Sequence, residues 1–276
     1  MLSMAKVIAV TNQKGGVGKT TTSINLAASL VKTRRRVLLV DIDPQGNATM
    51  GSGVSKDELD TTIYQVLLGI EPIEKALHKT EDGYDLVPAN SDLAGAEIEL
   101  INLDRRERRL RGALESVQGN YDYILIDCPP SLNLLTLNAL VATDTVLIPM
   151  QCEYFALEGL SSLVATIQRV RESLNPQLEI GGLLRTMYDP RNSLATEVSA
   201  QLLQHFGSKL YNTIIPRNIR LTESPSFGKP IIQYDKDSIG AQKYNDLAQE
   251  LYHRTVSSLV KPEKSDTISH DTVGLN

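Results

Sequence analysis

Short apolar runs alternate with longer amphipathic stretches along almost the whole chain. The runs at residues 6–12, 36–43, 84–89, 121–127, 145–150, 180–187, 211–216 and 230–234 predict β-strands. Several are continuously apolar, as in Val37-Leu38-Leu39-Val40 and Ile124-Leu125-Ile126, the pattern of strands covered on both faces. Between them, residues 20–32, 132–142, 157–174 and 194–206 carry helical periodicity. This alternation predicts βαβ units with right-handed crossovers, and so an α/β fold with a doubly wound, mostly parallel sheet. With no internal repeat and no linker, the pattern predicts a single domain over residues 1–260. Its last helix, at residues 240–260, sets Ala241, Tyr244, Leu247, Ala248, Leu251, Tyr252 and Leu259 on one stripe. Basic residues do not line the polar face, which predicts a helix docked on the core and not a membrane anchor. Residues 261–276 are polar and predict a disordered tail.

Composition narrows the class. The 276 residues are 41% hydrophobic and 22% charged, as in a soluble globular protein. Cys128 and Cys152 share no metal-ligand spacing and suggest no disulfide framework, and Cys128 reads as a small buried residue. Residues 1–6 lead straight into the first strand, so no signal peptide is expected. No apolar run approaches the ~20 residues that span a bilayer, and a cytoplasmic protein is expected. A formal charge of −5 argues against a generally basic coat for nucleic acid. Residues 185–229, however, hold six basic residues against three acidic ones, so any anion-binding face is local.

The strongest chemical signal is Gln13-Lys14-Gly15-Gly16-Val17-Gly18-Lys19-Thr20-Thr21-Thr22, directly after the run Val7-Ile8-Ala9-Val10. A strand, a Gly-rich loop, a Lys-Thr pair and a helix form a phosphate cradle, in which backbone N–H groups and the helix N-terminus face the anion. Lys19 supplies charge to the β- and γ-phosphates, and the Thr20 hydroxyl suits Mg²⁺. Gln13 stands where the usual spacing has its first glycine, and Lys14 adds a second lysine. That lysine comes too early to curl back easily onto its own phosphates, but it can reach a nucleotide held by a second subunit.

Ligands of open α/β sheets bind beyond the carboxyl ends of the strands. There Asp41 and Asp43 share one side of the second predicted strand, ahead of Pro44 and Gly46. One can orient a water for attack on the γ-phosphate and the other can reach Mg²⁺ through water; the alternative is a capped turn. Asp127 ends the run 121–127 before Cys128-Pro129-Pro130-Ser131, a position suited to holding Mg²⁺. In Pro216-Arg217-Asn218, the asparagine amide complements the N6 and N1 edge of adenine. Arg34-Arg35-Arg36 reads as a solvated helix end. Residues 105–111, with five arginines, read as an exposed helix face that can also widen a DNA or partner surface.

The loop resembles the deviant Walker A loop of the ParA/MinD family of ATPases, whose early lysine reaches across a nucleotide-sandwich dimer. Further motifs run in order along the chain: D-I-D-P-Q-G-N-A-T at 41–49, P-A-N-S-D-L-A-G-A-E-I-E-L at 88–100, D-C-P-P-S-L at 127–132, Q-C-E-Y-F-A-L-E-G-L at 151–160 and I-P-R-N-I-R-L at 214–221. Together they resemble the chromosomal ParA/Soj branch from Lys6 to about Leu251. The resemblance implies a P-loop NTPase fold of the nitrogenase-iron-protein type and an ATPase using ATP and Mg²⁺. Lys14, Gly15, Gly16, Val17, Gly18, Lys19, Thr20 and Thr21 would form the phosphate loop. Asp43 in switch I would be tied to hydrolysis, together with Lys14 and Lys19. Thr20 and Asp127 would serve the metal, Asp127 through water, and Pro216, Arg217 and Asn218 the base. Arg191 and Arg220 align with DNA-contacting positions. The implied partners are a second copy of the chain, non-specific duplex DNA and a ParB-type protein, with a location on the nucleoid and no membrane. A MinD-like regulator would instead end in a basic amphipathic helix. An iron-protein-like reductase would need cluster cysteines at other positions than 128 and 152.

Overall fold

The structure, a computed structural model, describes residues 4–260. The polar tail expected at 261–276 lies outside them, as does the side chain of Leu259. Eight strands form one sheet: β1 (Lys6–Val10), β2 (Val37–Asp41), β3 (His78–Lys79), β4 (Asp85–Val87), β5 (Tyr123–Asp127), β6 (Thr145–Met150), β7 (Glu179–Tyr188) and β8 (Leu210–Pro216). Their order is β3-β4-β2-β5-β1-β6-β7-β8, parallel throughout except for β3 against β4.

Alternating side chains of the central strands feed two cores. Ile8, Val10, Val37, Leu39, Tyr123 and Leu125 face one layer, packed by the helices Lys19–Lys32 and Ile239–Val260. Val7, Ala9, Leu38, Val40, Ile124 and Ile126 face the other, under Ile63–Leu68, Leu93–Leu100, Arg109–Glu115 and Leu134–Ala142. Double coverage is why these runs are apolar without a break. In the last helix Ala241, Tyr244, Leu247, Ala248 and Leu251 are buried in the first core, as expected for a docked helix. No helix of the described residues is long and apolar enough to cross a membrane.

Three expectations need correction. Residues 230–234 form no strand; Ile231–Tyr234 is a helical turn. The amides of Gln233 and Tyr234 donate to the Pro230 carbonyl, and the Ile231 amide donates to Asn25 Oδ1, so their hydrogen bonds close locally or onto the first helix. Arg34-Arg35-Arg36 is more than a solvated end. Arg34 takes the left-handed conformation that closes the first helix, with the Arg34 and Arg35 amides bonded back to Val31 and Leu30. Arg35 lies over the Tyr252 ring, and Arg36 pairs with Asp122. Residues 105–111 are not a uniform exposed face, because Arg109 is half-buried and donates to the Leu67 carbonyl.

Candidate nucleotide site

The loop after β1 lies at the centre of the sheet, where the chain leaves β1 toward β2 on one side and leaves the neighbouring β6 toward β7 on the other. Gly16 and Gly18 have φ of 72° and 85°, a region that favours glycine, and Gly18 caps the helix Lys19–Lys32. The loop is braced from the far side of the sequence. Asn12 bridges it, accepting from the Lys14 amide and donating to the Pro149 carbonyl. Thr186 donates to the Val17 carbonyl over 2.8 Å, and Gln151 donates to that of Gly16 over 3.3 Å. The ends of β6 and β7 therefore set the loop's shape.

The two lysines are directed differently. Lys19 is buried and its Nζ donates to the Lys14 carbonyl at 3.1 Å, inside the loop. Burial lowers its pKa, opposed by the charges of Asp127 and Asp43. Lys14 instead forms an ion pair with Glu153 at the rim, both side chains half exposed. One lysine is committed to its own loop; the other leaves it.

Register brings the carboxylates together. Asp127 on β5 pairs with Val10 of β1 and with Asp41 of β2, so all three close the carboxyl edge side by side. Asp127 is fully buried and accepts from Thr20 Oγ1 and Ser23 Oγ, each at 2.8 Å. Burial first, and then the charge of Asp41, pushes its pKa up. Asp127 and the Thr20 hydroxyl form a set of hard oxygens next to the loop, the donor chemistry that Mg²⁺ selects.

The structure separates the two aspartates that strand alternation leaves equivalent. Asp41 is fully buried and accepts from the amides of Asp43 and Thr49 and from the Thr49 hydroxyl. Its carboxylate ties the strand end to the following helical turn, Asn47–Gly51, and burial raises its pKa. Of the two readings, the capped turn describes Asp41. Asp43 accepts from the Gln45 amide at Oδ1 and keeps a small opening to solvent.

Pro216, Arg217 and Asn218 follow the edge strand β8, three places from β1. Among the described residues no hydrogen bond joins them to residues 13–21. Asn218 caps the helix Ile219–Glu223, its Oδ1 accepting from the Arg220 and Leu221 amides, which leaves the amide NH₂ for a base. This departs from the two-point contact to adenine that its amide suggested. Arg191 and Arg220 are exposed, and each is already paired. Arg191 makes a bidentate bond to Asp189, which holds that carboxyl down at about 2. Arg220 contacts Glu223 at 2.9 Å and Asp235 at 3.4 Å.

Ser23, Asn12, Gln151, Glu153 and Thr186 went unassigned in the sequence reading. Ser23 follows Lys19 by one helical turn and was findable on that ground. The others meet the loop from 135 or more residues away, or, for Asn12, bridge to a residue that far off; Gln151 and Glu153 stand in the motif at 151–160, but no local spacing ties them to the loop.

Comparison with known proteins agrees with this geometry. A family model described as an AAA domain matches residues 5–180. The chromosome partitioning protein ParA of Caulobacter vibrioides is 54% identical over 252 residues, 90% of this chain and 94% of its own. The sporulation initiation inhibitor protein Soj of Bacillus subtilis is 55% identical over 249 residues, 90% of this chain and 98% of its own. Among solved structures, cobyrinic acid a,c-diamide synthase of Mycobacterium smegmatis with bound ADP and magnesium superposes with a TM-score of 0.82 at 38% identity. That match covers 95% of this chain and 100% of the other. The central phosphate loop, the paired lysines and the buried aspartate beside Thr20 thus stand in a chain that belongs to the ParA/Soj family of chromosome-partitioning ATPases.

Proposed function

We propose that ATP closes two copies of this chain face to face, that the dimer binds duplex DNA without sequence preference, and that a ParB-type partner stimulates hydrolysis and release. The observation that carries this reading is Lys14. Its charge sits at the rim on Glu153 while Lys19 alone serves the loop. An exposed ion pair contributes only about 0–1 kcal/mol, so Lys14 exchanges Glu153 readily for a partner's phosphate.

Within each protomer the N–H groups of Gly15, Gly16, Val17, Gly18, Lys19, Thr20 and Thr21 take the phosphates, with Lys19 adding charge where it builds up during transfer. Thr20, and Asp127 through water, would hold Mg²⁺, which would supply neutralisation of the phosphate oxygens. Asp43, freer than Asp41 at the same edge, orients the attacking water. Pro216, Arg217 and the Asn218 NH₂ receive the adenine. Arg191 and Arg220 contact DNA phosphates by giving up Asp189 and Glu223, exchanges that solvent exposure makes inexpensive.

Retention on unrelated duplexes tests the reading. We expect binding with ATP and Mg²⁺ and none with ADP. Arg191→Ala and Arg220→Ala should each weaken it equally for every sequence and flatten its salt dependence, as loss of phosphate contacts does. Equal retention with ADP and ATP refutes the nucleotide-driven dimer.

A further inference from the structure

The helix Ile63–Leu68 starts beside Pro88, just past the carboxyl end of β4, and runs away from the nucleotide edge. Where it ends, it borders a cavity of about 1020 Å³, closed on the other side by the segments Arg106–Arg108 and Arg109–Glu115. Arg108 reaches from there to the Leu174 carbonyl, ahead of the start of β7. The cavity therefore lies toward the amino-terminal edge of the sheet, remote from the phosphate loop.

Four arginines line it: Arg105, Arg108, Arg109 and Arg111. None forms an ion pair among the described residues. Arg109 is fixed in place. Its Nε donates to the Leu67 carbonyl at 2.9 Å, and its guanidinium lies against Gly69, where an added Cβ would come within 2.3 Å of Nη2. Arg105 holds φ of 52°, an uncommon conformation for arginine. Of the carboxylates in the wall, Glu71 is satisfied by Lys75. Glu74, Asp104 and Glu115 have no ion pair among the described residues, so four arginines face three unpaired acids. Beside them Ile70 is 62% exposed.

We propose that this cavity docks a segment of a partner protein bearing both carboxylates and apolar side chains, its acids held by Arg105, Arg109 and Arg111 and an apolar residue set on Ile70. Guanidinium groups bind carboxylates through two parallel hydrogen bonds, and a fixed one loses little freedom in doing so. Duplex DNA fits less well. Its phosphates follow at about one per 1.7 Å of axis and would meet Asp104 and Glu115 along with the arginines. An extended peptide spaces same-face side chains by about 7 Å and can pass between the acids. The chain's overall charge of −5 gives such a peptide no diffuse attraction, so binding has to be local.

Fluorescence anisotropy with the full chain tests this, using a labelled peptide of repeating Glu-Glu-Leu, the same peptide with Gln for Glu, and a labelled duplex. The variant carries Arg105→Asn with Arg111→Gln; both positions are exposed, and asparagine tolerates the left-handed backbone. We expect the chain to bind the Glu peptide and not the Gln peptide. The variant should bind about tenfold more weakly, a loss of about 1.4 kcal/mol, with unchanged ATP hydrolysis. No binding by the unmodified chain, or equal binding by the variant, overturns the proposal. A variant that loses duplex affinity but keeps peptide affinity also overturns it, assigning the arginines to nucleic acid.

Discussion

Thr49→Val isolates the network that sets the geometry of the carboxyl edge. Thr49 is fully buried. Its hydroxyl donates to Asp41 Oδ2 at 2.8 Å and accepts from the Ala89 amide at 2.9 Å, joining β2 to the segment after β4. Valine replaces that hydroxyl with a methyl group of similar shape, so no cavity forms. Two losses remain. The buried Ala89 amide is left without its acceptor, at a cost of about 1–3 kcal/mol, and a buried carboxylate loses one of its three donors, about 1.5–3 kcal/mol. Both pass through one hydroxyl and partial relaxation is available, so we expect about 3 kcal/mol in total. For a domain of this size that lowers Tm by about 6–12 °C. Thr49→Ser, which retains the hydroxyl and loses only a methyl, should cost about 1 kcal/mol. Urea denaturation of the three proteins, with the slope checked for constancy, supplies the comparison. If Thr49→Val is destabilised by less than Thr49→Ser, the hydroxyl does not organise this edge and the separation of Asp41 from Asp43 fails with it.

Lys14→Ala should barely alter stability, because its partner Glu153 is half exposed, yet it should lower ATP hydrolysis about a hundredfold and weaken ATP-dependent dimers. Sedimentation showing the same dimer as in the unaltered chain excludes the trans role. Asp43→Ala should leave ATP binding intact in equilibrium dialysis and slow hydrolysis about a hundredfold, prolonging residence on DNA; an unchanged rate removes Asp43 from the chemistry. Asp82 has its pKa raised to about 6, first by burial and then by Glu81. The folded state therefore binds its proton more tightly than the unfolded state does, and stability falls as pH rises from about 4 to about 6. Discounted for partial exposure, Asp82→Asn should stabilise the protein by about 1 kcal/mol at neutral pH and not at all below about pH 4. A Tm gain independent of pH contradicts this.

The alternation of apolar runs and helical periods was enough to determine a parallel, doubly wound sheet, because strands covered on both faces must be apolar at consecutive positions. Lys14, Gly16, Gly18, Lys19 and Thr20 were legible for a related reason: a phosphate loop is built from neighbours in sequence, and its backbone conformation demands glycine locally. The strand expected at 230–234 failed where local signal was weakest. Two isoleucines after a proline suit a strand or a buried turn equally well, and the Asn25 side chain, 206 residues away, decides for the turn. The different settings of Asp41 and Asp43 were likewise invisible to the strand pattern, which gives them the same side; the bonds from Thr49 to Asp41 and the complete burial of Asp41 exist only in the fold. Pairing of charges was decided partly in space as well. Arg191 and Arg220 pair with Asp189 and Glu223, two and three residues away, while Asp235 reaches Arg220 only through the fold. Lys14, legible in the loop though its partner is not, finds Glu153 only when β6 is set beside β1. Hydrogen-bond and charge partners are chosen by distance after the sheet has formed, and contacts between residues far apart in the chain leave no periodic trace in it.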